Sequence, residues 1–74
     1  MKLDYAVILV DSISLGLRIE SLVKAEGLSY KLIPVPRHLS SDCGFCVRIR
    51  KEDRETVLNL LQEHKIEIQA IEDL

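Results

Sequence analysis

Aromatic residues and basic charge are both scarce in this sequence. It has no tryptophan, one phenylalanine and two tyrosines, and its formal net charge is −2. Nucleic-acid-binding domains typically combine a basic stripe with aromatic residues on which bases stack. No such stripe is visible here, so we expect no nucleic-acid partner.

Long apolar runs are lacking as well. The longest, residues 5–10, is far shorter than the roughly 18 residues that a membrane-spanning helix needs. The first residues do not combine a basic region, an apolar run and a small-residue cleavage site. We therefore expect a cytoplasmic protein with no membrane partner. In that compartment two cysteines are more often catalytic, redox-active or metal-binding than joined in a structural disulfide.

Nucleotide-binding fingerprints are missing, since the sequence contains neither GxxxxGK[ST] nor GxGxxG. We expect no cofactor. The 74 residues are enough for a single domain, residues 1–74, and too few to enclose a deep active site. Any chemistry is therefore expected on a surface loop or in a shallow groove.

The first half of the chain follows a strand–helix pattern. Residues 5–10 form a continuous, β-branched apolar run, which is typical of a central strand buried on both faces. Ser12 offers an N-cap side chain, and Gly27 provides a helix stop. Between these two positions apolar residues recur at helical spacing: Leu15, Ile19, Leu22 and Val23.

The rest of the chain supplies three more strands and a second helix. Residues 29–35 predict a strand, and Pro34 and Pro36 place it at a sheet edge because proline cannot donate to a ladder. Residues 45–50 alternate as a half-buried strand does, and residues 66–70 alternate again as a last strand. The helix between them has an apolar stripe of Val57, Leu58, Leu60 and Leu61.

The resulting order, β-α-β-β-α-β, predicts a ferredoxin-like α+β fold: a four-stranded antiparallel sheet with two helices on one face. Strand parity predicts which residues lie on the other, open face. That face would carry Cys46, Arg48 and Arg50 from the third strand and Ile33 and Val35 from the edge strand. An open face this apolar predicts a homodimer or a partner site. The alternative is that the C-terminal residues fold over it.

The candidate functional site is the loop of residues 36–46. It contains Cys43 and Cys46 at CxxC spacing, and two thiols so placed can close a small disulfide ring or chelate one metal ion. Positive charge favours the thiolate, the reactive form of a cysteine, and Arg37 and Arg48 are candidates to supply it. Asp42 would act in the opposite direction.

The remaining loop residues suggest how a reactant would be held. Ser40 and Ser41 offer hydroxyl groups to a thiolate or a bound anion. Gly44 removes a side chain beside Cys43, so a bulky reaction partner could approach. We expect no structural zinc site within one chain, because such a site needs four ligands and the loop offers Cys43, Cys46 and at most His38.

The stretch LIPVPRHLSSDCGFCVR, residues 32–48, together with the opening YAVILVDS, residues 5–12, resembles the small bacterial domains described as selenium/sulfur carrier protein-like. The resemblance covers nearly the whole chain. It implies that the functional cysteine is Cys43, that the arginine after the two prolines is Arg37, and that the serine pair is Ser40 and Ser41. It also implies sulfur or selenium donor and acceptor proteins as partners.

Three hypotheses remain open on the same loop. In the first, Cys43 is an exposed loop cysteine that accepts a terminal sulfur or selenium atom. Arg37, Arg48 and the two serines hold the anionic terminal atom, and Cys46 can release it by attacking the adduct. In the second, Cys43 and Cys46 cycle between dithiol and disulfide as a redox or sensing module. In the third, the loop binds metal or protein as a dimeric adaptor. We expect a carrier rather than a stand-alone enzyme.

Overall fold

A computed structural model of the chain describes residues 4–39 and 43–74. Its elements follow one another as β1 (Tyr5–Leu9), α1 (Ile13–Ala25), β2 (Tyr30–Pro34), β3 (Phe45–Arg50), a 3₁₀ turn (Lys51–Asp53), α2 (Arg54–Glu63) and β4 (Ala70–Asp73). The strands form one antiparallel sheet in the order β2-β3-β1-β4. This is the predicted α+β, ferredoxin-like arrangement.

The central position of β1 follows from its unbroken apolar sequence. Ala6 and Ile8 pack in the core beneath the helices, whereas Val7 and Leu9 pack in a second cluster on the opposite face. All four residues are at most 4% exposed. Polar side chains would be costly on a strand that is hydrogen-bonded on both sides and covered on both faces. The prediction of a central strand buried on both faces is confirmed.

Helix α1 begins and ends where its sequence signals predicted. The Ser12 side chain accepts a hydrogen bond from the Leu15 backbone N–H at 3.3 Å, which satisfies one of the unpaired amides of the first turn. At the other end Gly27 has a φ of 73°, a left-handed conformation that glycine adopts without steric cost. Ile19 and Val23 bury the inner face of this helix against the sheet.

The last strand was predicted four residues too early. The segment 66–70 alternates in polarity, but β4 is Ala70–Asp73. The Ile66 N–H donates to Leu61 O at 2.9 Å, in the turn that closes α2, and its side chain enters the helix-side core. Pairing with β1 starts only where the Gln69 N–H donates to Leu9 O at 2.8 Å. The alternation of residues 66–70 therefore belongs mostly to a loop that places Ile66 in the core, not to a strand.

The predicted open face is partly closed by the chain itself. Val7, Leu9 and Cys46 form an outer cluster, and each is at most 4% exposed. The segment after β2 covers them with Val35 and Leu39. Part of the apolar area expected to be open is therefore covered within one chain, by this segment and by Ala70 near the C-terminus. The homodimer stays a prediction.

Candidate functional site

The loop between β2 and β3 is closed at its base by the sheet. Pro34 pairs with Phe45 in the ladder, and the Val35 N–H donates to Gly44 O at 3.0 Å. The loop therefore leaves and re-enters the sheet at adjacent positions. Three of its residues lie outside the described part of the chain: Ser40 and Ser41, both predicted site residues, and Asp42.

The first limb of the loop folds back over the outer face of the sheet. The Leu39 N–H donates to Pro36 O at 3.0 Å, which closes a tight turn. Arg37 and His38 form the tip of this turn and are exposed, while Leu39 packs back onto the outer cluster. Arg37 is thus available to an incoming anion, and its role there stays a prediction.

Cys43 lies in the helix-side core and is only 9% exposed. The expectation that Cys43 is an exposed loop cysteine is therefore wrong. The reason is local: Leu9 pairs with Cys46, so the residues just before β3 lie at the same end of the sheet as Val10 and the start of α1. At this end the Cys43 side chain enters the core beneath the helices, although Gly44 is exposed.

Gly44, next to Cys43, is exposed, and a Cβ atom built on it would have no neighbour within 4 Å. Its φ does not require glycine either, because only Gly27 has a positive φ among the described glycines. Neither packing nor backbone conformation explains the residue. The space around Gly44 is therefore open, and its use by a reaction partner of Cys43 stays a prediction.

Cys46 differs from Cys43 in both position and chemistry. It is fully buried in the outer cluster, and its Sγ lies 4.0 Å from Pro34 O. Burial raises the pKa of this thiol, and the nearby charge of the Cys43 thiolate raises it further. Cys46 is accordingly a poor nucleophile at neutral pH, since the thiolate is the reactive form.

The two cysteines pack in clusters on opposite sides of the sheet, and they are not joined in a disulfide. A separation of three residues along extended chain reverses the direction of the side chain. The thiols are still close enough to interact electrostatically, since the charge of the Cys43 thiolate contributes to the raised pKa of Cys46. Dithiol–disulfide cycling stays a prediction.

Arg48 is not brought to Cys43. Its guanidinium lies 4.1 Å from the centroid of the Tyr5 ring, and Tyr5 stands at the opposite end of β1 from Leu9, the partner of Cys46. Four strand residues span about 13 Å. The structure therefore directs Arg48 away from the cysteine loop, although both residues were predicted to share one site.

Metal ligands do not cluster in the described ranges 4–39 and 43–74, which contain no group of three or more His, Cys, Asp or Glu residues suited to hold an ion. No helix in the same ranges is long and apolar enough to cross a bilayer.

The sequence reading missed Val35 and Leu39 as the cover of Cys46. Their apolar character on either side of the segment Pro36-Arg37-His38 was the available signal.

Burial of Cys46 predicts a specific pH dependence of stability. Its raised pKa means that folding favours the protonated thiol, so this stabilisation is complete below the unfolded thiol value of about 8.5 and is lost as the pH rises through the folded value. We expect the free energy of unfolding of the wild type to fall more steeply above about pH 8.5 than that of Cys46→Ala. Urea unfolding at about pH 7.5 and about pH 9.5 measures both slopes.

The matched control for this experiment is Cys43→Ala. It should retain most of the slope, because desolvation is a larger cause of the Cys46 shift than the charge on Cys43. Parallel stability curves for the wild type and Cys46→Ala would contradict the assignment of the alkaline loss to this buried thiol.

One protein-family model matches the chain over most of its length. A family model described as "Putative Se/S carrier protein-like" matches residues 4–72. No curated protein and no solved structure matches the chain. The matched range includes β1, β2, β3, both helices, the whole β2–β3 loop and all of β4 except Asp73.

Proposed function

This chain belongs to the family described as Se/S carrier protein-like, and we propose that it carries a terminal sulfur or selenium atom on Cys43 between a donor and an acceptor protein. The observation that supports Cys43 is the contrast between the two thiols. Cys43 keeps 9% exposure beside the open space at Gly44, whereas Cys46 is 0% exposed and has a raised pKa.

Loading is a transfer between thiols that needs no external oxidant. The Cys43 thiolate attacks the terminal sulfur of a donor persulfide, R–S–SH. The bond from Cys43 Sγ to that sulfur forms, the S–S bond of the donor breaks, and R–S⁻ leaves and takes up a proton. The transferred atom keeps its oxidation state. Delivery is the same reaction with the acceptor thiolate as the nucleophile, and a selenium atom follows the same steps.

The limited exposure of Cys43 gives the donor a part in the reaction. A thiol that is 9% exposed is reached by a bulky donor only after a local opening, and loops open at a small fraction of the cost of global unfolding. Gly44 supports such an approach, because a side chain there would fill the open space. Arg37, exposed at the tip of the turn, is a candidate to meet the negative terminal atom.

Release by Cys46 is a less favourable route than transfer to an external acceptor. Cys46 would have to attack Cys43 Sγ and expel hydrosulfide, leaving a disulfide that a thiol reductant must reopen. Its burial, its raised pKa and its place on the other side of the sheet all oppose that attack. We therefore propose that Cys46 is chiefly a packing residue.

The test of this function is the intact mass of the protein under non-reducing conditions after incubation with a cysteine desulfurase and cysteine, and separately with selenocysteine lyase and selenocysteine. We expect a mass gain of one sulfur or one selenium atom that a thiol reductant removes and that maps to Cys43. Omitting the amino-acid substrate is the control. An unmodified dithiol, or the loss of two hydrogens alone, would contradict the carrier proposal and favour redox cycling.

A further inference from the structure

The outer face of the sheet carries a cluster of positive charge at the end opposite the cysteine loop. Arg48 and Arg50 project from β3 on that face, and Lys31 of β2 is paired with Arg48. Tyr5 of β1 is paired with Arg50. Three cations in adjacent rows of one sheet face are notable in a chain of net charge −2.

The cluster is only partly neutralised within the chain. Arg50 Nη1 lies 3.3 Å from Glu52 Oε1, and that glutamate side chain is 67% exposed. In the part of the chain that the structure describes, Arg48 and Lys31 have no carboxylate within 4 Å. The nearest acidic residue in register, Glu72, lies beyond β1 on β4.

Arg48 is held in place by an aromatic ring instead of an acid. Its guanidinium lies 4.1 Å from the Tyr5 ring centroid, a cation–π contact that fixes the plane of the group. A guanidinium so held retains its N–H donors for a ligand while losing little side-chain freedom on binding.

These side chains border a groove of about 300 Å³, lined by Tyr5, Ser29, Tyr30, Arg48, Ile49 and Arg50. Its size is at the lower end of small-molecule sites. Its polar side chains are two guanidiniums, which only donate, and the hydroxyl-bearing Ser29 and two tyrosines, whose hydroxyls can donate or accept. A donor-rich groove with excess positive charge selects an anionic ligand.

We propose that this groove binds a small phosphate-bearing ligand, with the phosphate held between Arg48 and Arg50. A planar guanidinium group can donate two parallel hydrogen bonds to a pair of phosphate oxygens. The two positive charges of Arg48 and Arg50 match a phosphate dianion better than they match a ligand with a single carboxylate. A small ligand is favoured over a polynucleotide or an acidic peptide for two reasons. The cationic patch is confined to one end of the sheet, and the other end of the same face is covered by Val35 and Leu39. This inference goes beyond the carrier proposal and does not involve Cys43.

The test is an NMR titration of the ¹⁵N-labelled full chain with inorganic phosphate and with adenosine 5′-monophosphate, using adenosine as the probe without phosphate. We expect saturable shifts confined to the amides of Tyr5, residues 29–31 and residues 48–50. Arg48→Gln should weaken binding of the phosphate probes about tenfold or more, since it removes a charged pair of hydrogen bonds. Arg18→Gln, on the exposed side of α1, should change it less than about twofold.

The two phosphate probes distinguish the source of the phosphate group. Tighter binding of adenosine 5′-monophosphate than of inorganic phosphate supports a phosphorylated metabolite, and equal binding supports the free anion. Adenosine binding as tightly as its monophosphate would overturn the proposal. So would shifts spread equally over α1, no saturation with either phosphate probe, or tighter binding of an oligoglutamate peptide or an oligonucleotide. If Arg48→Gln is not folded, Arg50→Gln and the wild-type shift map decide the question.

Discussion

Replacing Cys43 with serine is expected to abolish sulfur and selenium loading, while replacing Cys46 with alanine is expected to leave loading within about twofold of wild type. A serine hydroxyl cannot accept a sulfur atom from a persulfide under these conditions. Cys46 is buried, has a raised pKa and packs away from Cys43, so its removal takes no accessible nucleophile from the protein. The measurement is the intact mass after incubation with the donor enzyme, followed by peptide mapping of the modified residue.

Cys43→Ala is the matched control for the serine variant, because it removes the thiol without adding a hydroxyl group to the helix-side core. Circular dichroism must show that both variants are folded before their loading is compared. Loading of Cys43→Ser at the wild-type level would refute the carrier assignment. Loss of loading in Cys46→Ala, with retention of a folded chain, would instead implicate both thiols and support the CxxC redox hypothesis.

Truncating Leu39 to alanine is expected to accelerate alkylation of Cys46 about 5- to 30-fold. Leu39 is one of the side chains of the β2–β3 loop that cover the outer cluster. A full Leu→Ala truncation in a core costs about 2–5 kcal/mol, and for a half-buried side chain we expect about 1–2 kcal/mol. A loss of that size raises the population of an opened state by the stated factor. Labelling with iodoacetamide in a Cys43→Ala background reports on Cys46 alone.

Leu17→Ala is the control for this effect, since Leu17 is 49% exposed on α1 and its truncation should change the alkylation rate less than twofold. Urea unfolding of the same variants separates local from global opening. An unchanged rate in Leu39→Ala would show that the segment after β2 does not protect Cys46. An equal acceleration in both variants would point to global unfolding rather than to a local cover.

The two predictions concern opposite sides of one loop, and the difference between them has a functional consequence. Cys43 lies under the helices beside the open space at Gly44, whereas Cys46 lies under the folded-back segment. We expect a donor that approaches Gly44 to reach Cys43 and not the fully buried Cys46. The carrier proposal thus needs a single reactive cysteine, and the second serves the packing of the outer cluster.

Local sequence signals determined much of the fold. The apolar run of β1, the Ser12 cap, the Gly27 stop and the prolines of the edge strand each act within a few residues or through a simple rule of sheet chemistry. The side-chain period of two likewise predicted that Cys46 and Arg48 share a face opposite to Val47 and Ile49. The CxxC spacing placed the candidate site on the β2–β3 loop, and the family resemblance added which residues of that loop are expected to act.

The tertiary structure alone decided which parts of that loop meet which surface. Whether Val35 and Leu39 cover the outer face, whether Cys43 enters the core, and whether Arg48 turns toward the cysteines or toward Tyr5 all depend on contacts between residues far apart in sequence. The same is true of β4, where the turn that ends α2 moved pairing from residues 66–70 to Ala70–Asp73. Periodicity determines the face on which a side chain lies, but packing between elements determines what covers that face, and here the packing separates the two thiols.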